Sequence, residues 1–234
     1  MGVLFIILLL IGAYIYFSGM SEPAHIKEAI KGRTIEQQEV IKYFLGKNSF
    51  PNQGFLCKRL TDEEYDSIKN NTVNKSNFKQ KALDKIGLDI SQISEIDPVH
   101  FEGWLYGKKN SVDLAKYGKV DHKPRSSAYQ ITWLFFSSSQ VYIYRHSFHF
   151  NKDDKRVSTE EYFYKDITNF STSSDTVETN IWNDKLKKYE LKNIDSNDFT
   201  ITVPGEKFYC SLEQNEYSER AIQGMKAKLR EKKG

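Results

Sequence analysis

The apolar positions of the chain fall into three regimes. Residues 2 to 20, GVLFIILLLIGAYIYFSGM, carry no charge, and Val3 through Ile11 are apolar with no polar face at the 3.6-residue period. At about 1.5 Å per residue such a run reaches roughly 28 Å, the depth of a bilayer core, which predicts one transmembrane helix over 2–20. A cleaved signal peptide would place Lys or Arg ahead of the apolar run and small residues before the cut. Here no Lys or Arg precedes the run, and FSGMSEPAH at its end offers no A-x-A site.

From Ser21 to about Gly87 the periodicity is helical. Ser21, Glu22 and Pro23 suit a helix start, because proline lacks an amide that the first turn leaves unbonded in any case. Thr34 with Gln37, and Thr61 with Glu64, have the spacing of capping boxes. Val40, Ile41, Phe44 and Leu45 share one helical face, as do Phe78, Ala82, Leu83 and Ile86, with Gly87 as a C-terminal stop. Residues 47–55, KNSFPNQGF, and 70–77, NNTVNKSN, read as loops from their Asn, Pro and Gly. A helical region of short amphipathic segments over 21–97 is the result.

Beyond Pro98 a period of two takes over, with aromatic and β-branched residues on the apolar phase, as in strands with one buried face. Strands are predicted at 101–106, 129–136, 140–150, 158–165, 167–173 and 185–192. Two more, Asp198–Val203 and Lys207–Leu212, flank Pro204 and Gly205, a pair suited to a tight turn. The chain ends in an amphipathic helix from Asn215 as N-cap to about Lys232, with Tyr217, Ala221, Ile222, Met225 and Leu229 along one side.

Charge adds orientation. A net charge of +3 leaves no footprint for nucleic acid. No Lys or Arg precedes the apolar run, whereas Lys27, Lys31 and Arg33 follow it, so the positive-inside tendency puts the soluble part in the cytoplasm of a single-pass cell-membrane protein. The one basic cluster, Lys226, Lys228, Arg230, Lys232 and Lys233, is a candidate contact for a membrane surface or a partner. The same cations also suit the negative end of a helix dipole. Two cysteines, Cys57 and Cys210, are too few for a disulfide framework.

Short antiparallel strands followed by one C-terminal amphipathic helix, over roughly 100–232, resemble a bacterial pleckstrin-homology-like (PH-like) domain. VYIYRHSFHF is similar to the second-strand pattern of that family. TEEYFYKDITNFSTSS, with Tyr164, Asp166 and Ile167, is similar to the stretch before its next strand, and FTITVPGEKFYCSL leading into EYSERAIQGMKAKL to its last hairpin and helix. The resemblance implies an α+β chain with an antiparallel PH-like β-barrel over 98–234, capped by the C-terminal helix. It does not carry over lipid-headgroup recognition, since Lys119, Lys123 and Arg125 do not reproduce the basic motif of the phosphoinositide-binding members.

Individual chemical groups add little. His146 and His149 lie three apart, and on a strand such positions face opposite ways, which denies them a shared metal. Cys210 alternates with Phe208 and Leu212 and reads as core; Cys57, beside Lys58 and Arg59, lacks an orienting partner for nucleophilic work. Asp153 and Asp154 read as a solvated turn, and Glu160 and Glu161 face opposite ways on a strand. No phosphate loop, nucleophile elbow or zinc-protease helix occurs, and no cofactor or metal is implied. The expected function is a membrane-anchored, non-enzymatic protein that presents a PH-like domain to a protein or a membrane surface. An envelope-facing accessory protein of opposite topology, or an enzyme with an unrecognised site, are the competing readings.

Overall fold

Capping chemistry sets the helix starts in the computed structural model, which describes residues 6–7, 23–46, 59–89, 91, 93, 96–107, 113–183, 186 and 188–233. Helix α1 (Ala24–Ala29) begins after Pro23, which stands at the N-cap. Both capping boxes form: Thr34 starts α2 (Ile35–Leu45) and Thr61 starts α3 (Asp62–Lys75). Helix α3 runs through most of the predicted 70–77 loop. Ile68 and Val73 pack on the core, and that burial outweighs the weak helix propensity of Asn70, Asn71 and Asn74. After Asn77, at φ 42°, comes α4 (Phe78–Ile86), stopped by Gly87 in the left-handed region at φ 77°. The predicted 47–55 loop, Ser21, Glu22 and Cys57 lie outside the described residues.

The strands are β1 (Ile96–Leu105), β2 (Ala115–Tyr117), β3 (Pro124–Ser126), β4 (Ala128–Phe136), β5 (Gln140–His149), β6 (Lys155–Phe163), β7 (Asn169–Asn183), β8 (Lys188–Val203) and β9 (Glu206–Ser211); helix α5 (Glu216–Lys233) follows. All pair antiparallel, as a four-stranded sheet β1-β4-β5-β6, a ribbon β2-β3 and a three-stranded sheet β7-β8-β9. The predicted 185–192 and 198–203 strands are one long β8, paired with β7 from Asn169↔Thr202 to Asn183↔Lys188. Gly205, at φ 84°, turns β8 into β9 as expected. Strands β2 and β3 escaped prediction because three residues carry no readable alternation.

The four-stranded sheet is the middle layer. Tyr129, Ile131, Phe135 and Tyr144 on one face pack with Phe44, Tyr65, Phe78 and Leu83 of the helices. Leu134, Phe136, Val141 and Ile143 on the other pack with Phe199, Ile201 and Phe208 of the second sheet and Ile222, Met225 and Leu229 of α5. Strand β4 is therefore buried on both faces, where alternation alone implied one. Each fully buried side chain of this size contributes about 1.5–3 kcal/mol. The helical region and the strands share a core cluster across the expected 97/98 boundary.

Three expectations are corrected. The chain is not an α+β fold carrying a PH-like barrel: most of the described structure is antiparallel sheet with few helices, and the sheets do not close. Where β1 nears β9, Glu213 N–H donates to Glu102 O at 2.7 Å just past the strand end, and side chains rather than a regular ladder make further links. Gln130 Oε1 accepts from Ser211 N–H at 2.8 Å, and Ser211 Oγ donates to Trp104 O at 3.1 Å. The single-pass membrane helix is not supported either, and neither are the cell-membrane localisation and the cytoplasmic placement built on it. Among the described residues no helix is long and apolar enough to cross a membrane; the long one, α5, carries charges along its length. The run over 2–20 lies outside the described residues except for Ile6 and Ile7.

Candidate functional site

Among the described residues β1 and β6 end the four-stranded sheet and β7 and β9 the three-stranded one; β1 and β9 lie against each other through the bonds given above, and the other two edges, β6 and β7, differ in chemistry. Strand β6 carries Lys155, Arg156, Glu160 and Glu161, the kind of charge density that discourages further pairing. The first half of strand β7 runs Asn169-Phe-Ser-Thr-Ser-Ser-Asp-Thr176, with one charge, Asp175. It pairs with β8 on one side only, so alternate residues direct their N–H and C=O groups outward. Its far half is partly covered: Thr179 Oγ1 donates to Gly107 O at 2.7 Å, and Ile181 packs with Ala115 of β2. The near half, around Thr172–Ser174, borders a groove.

Helix α5 forms the opposite wall. Asn215 caps it, accepting from Ser218 N–H at 2.9 Å, while Ile222, Met225 and Leu229 seat it in the core. That seating presents Gln223 and Lys226 to the groove, together with Arg220 and Glu219. Leu212 and Ile222 supply its apolar part, and the groove encloses about 600 Å³. The helical stretch 218–226 is about 12 Å long, enough for roughly four residues of extended chain. Within the walls, Ser174 Oγ donates to Asn197 Oδ1, and Glu219 accepts from Gln214 Nε2 at 3.3 Å. Beside the groove, burial and then the nearby Asp175 raise the Asp198 carboxyl above its ordinary value.

A second cavity, of about 460 Å³, opens between α3, β1, β3, the middle of β8 and the end of β9. Three of its charged side chains are engaged internally with Arg125 or by aromatic rings, and Arg125 itself is among the most buried. Arg125 binds Asp66 and Asp121, and the Lys69 ammonium stands over the rings of Trp104 and Tyr129 at 5.9 and 5.4 Å. Below it Asp62 accepts from Tyr43 Oη at 2.9 Å and from Lys119 N–H at 2.7 Å. Burial raises its pKa, but the Lys119 amide and the Tyr43 hydroxyl outweigh burial and hold the carboxyl below its usual range. These bonds tie the β2-β3 ribbon to the helices.

Of the basic cluster, Lys226 alone lines the groove. Lys228 pairs with Glu231 at 3.0 Å, Lys232 stands 6.0 Å from the Tyr164 ring, and Arg230 and Lys233 are exposed. The cations are thus distributed around α5. His146 packs against Phe78 and Phe148, and His149 bonds Asp113 from the other face at 2.8 Å. Cys210 is buried and its thiol is pushed up to about 12 by burial. Asp153 is no merely solvated turn residue: it accepts from Gln37 Nε2 of α2 at 2.8 Å. Glu160 pairs with Arg145 at 3.3 Å. The wall residues Thr172, Ser173, Ser174, Arg220 and Gln223 were not singled out in the sequence. The signal was available in TSSDT, a β stretch polar on both phases, which marks an edge.

Comparison with protein-family models, with curated proteins and with solved structures finds no match to this chain. The PH-like resemblance therefore rests on the sequence motifs quoted above.

Proposed function

We propose that the strand-rich part of this chain is a non-enzymatic protein-binding module that accepts an extended segment of a partner along the outer edge of β7. The observation that carries this is the unpaired, sparsely charged stretch of β7 facing α5 across an open groove. Main-chain groups on such an edge supply the hydrogen bonds of an added strand, and the flanking wall supplies selectivity. The order of a four-stranded sheet with a ribbon inserted after its first strand, a three-stranded meander and a closing helix supports the PH-like resemblance as the frame of this reading, without the barrel.

Selection of displayed random peptides on the full-length chain, followed by hydrogen exchange, tests the reading. Selected peptides are expected to slow exchange of alternate amides within 171–176. Protection confined to β6 or to the second cavity would sink it.

A further inference from the structure

We infer that the segment taken up beside β7 is acidic: an extended stretch of a partner polypeptide with Glu or Asp at alternate positions. The inference rests on the groove reading above and names the chemistry of its occupant.

The walls decide the sign. The strand wall offers Thr172, Ser173 and Ser174, which are neutral donors and acceptors. The helix wall offers Arg220 and Lys226 against one carboxylate, Glu219, and that carboxylate already accepts from Gln214. Arg220 is exposed and Lys226 half-buried, and no ion pair to either occurs among the described residues, whereas Lys228 on the same helix pairs with Glu231. With two cations to one carboxylate, and neither cation in an ion pair among the described residues, the helix wall keeps an excess of positive charge that is complementary to carboxylates arriving with the ligand. Asp175 stands next along β7 and Asp198 across its ladder, opposite Ser173. Those carboxylates repel acidic side chains on the strand side, so the ligand's own lean towards α5. Because successive side chains of a strand alternate in direction, acidic residues at every second position all meet that wall.

Binding of fluorescein-labelled ten-residue peptide pools to the full-length chain, read by anisotropy, tests this. The pools are randomised at odd positions and carry Glu, Gln or Lys at even ones. The Glu pool is expected to bind about tenfold more tightly than the Gln pool, the combined effect of two exposed ion pairs, and to weaken as salt rises. The Lys pool is expected to bind least. Arg220→Glu with Lys226→Glu, which reverses both cations of that wall, is expected to invert that order.

Equal binding of Glu and Gln pools overturns the acidic occupant and leaves the groove reading standing. If no pool binds, or if a Glu pool methylated on alternate backbone nitrogens binds as well as the unmodified one, edge pairing falls and the inference falls with it. Sedimentation of the chain as a dimer that the peptides cannot displace would assign the groove to a second copy. Phosphatidylserine vesicles that bind wild type but not the double variant, with all peptides inert, would assign the cations to a lipid surface. Either result overturns the inference.

Discussion

Arg125, on the three-residue strand β3, holds Asp66 of α3 through two parallel bonds, Nε to Oδ1 at 2.9 Å and Nη2 to Oδ2 at 2.7 Å. The other edge of the same guanidinium donates to both oxygens of Asp121, at 3.0 and 2.9 Å. Its side chain is 5% exposed, while those of Asp66 and Asp121 are 38% and 33% exposed. One arginine thus joins the ribbon to the helical layer.

Removing that fork should loosen the ribbon. Arg125→Ala is expected to cost about 2–3 kcal/mol, below the range for a fully buried pair because both carboxylates partly meet water. Arg125→Lys should recover less than half, since an ammonium cannot form the planar two-bond contact. Urea unfolding, with midpoint and slope compared across the three proteins, checks both.

At Gly103 the two sheets meet too closely for any side chain. A Cβ there would lie 2.5 Å from Ser211 Oγ and 3.2 Å from Leu212 N. Gly103→Ala is expected to destabilise by about 1–3 kcal/mol, as overpacking does. Adding Ser211→Gly should restore only part of the loss, because the backbone contact remains. Thermal midpoints of the single and double variants give the answer.

Acid should destabilise the fold before the surface carboxylates titrate. Burial lowers the pKa of His100, stacked on Trp133, and burial followed by Lys81 and Lys155 lowers that of His146, packed on Phe78. With folded values below the unfolded 6.5, the unfolded chain takes up protons first. The stability is fully present above about pH 6.5 and is lost as pH falls through the folded values, by at most about 1.4 kcal/mol per pH unit for each histidine. Melting from pH 8 to 5 should show the decline, and His146→Phe should flatten it.

Asp198 should behave in the opposite sense. Burial and the neighbouring Asp175 raise its folded pKa, so its charge disfavours the fold once pH rises past the unfolded value near 3.8. Asp198→Asn keeps the shape without the charge and is expected to stabilise the protein at pH 7, raising its melting temperature. A melting temperature that falls instead would show that the carboxylate is bonded where burial alone predicts a cost.

What the sequence determined by itself is local. The Thr34 and Thr61 capping boxes, the Gly87 stop, the Asn215 cap, the Gly205 turn and the core placement of Phe199, Ile201, Phe208 and Cys210 all follow from neighbouring residues. Each depends on interactions within a few positions of chain, which is why spacing exposes them. Tertiary structure decided everything that depends on distant partners. Burial of Ile68 and Val73 carried α3 through an Asn-rich stretch that reads as loop, and both faces of β4 found cover where alternation promised one. Closure into a barrel depends on strands meeting edge to edge, and here the Ser211 and Gln130 side chains, with Glu213 N–H on Glu102 O, link β1 to the end of β9 without a regular ladder. The groove followed from the same cause. Thr172–Ser174 and Arg220–Lys226 are some fifty residues apart, and only the docking of α5 against the second sheet turns a polar strand edge and a basic helix face into two walls of one site.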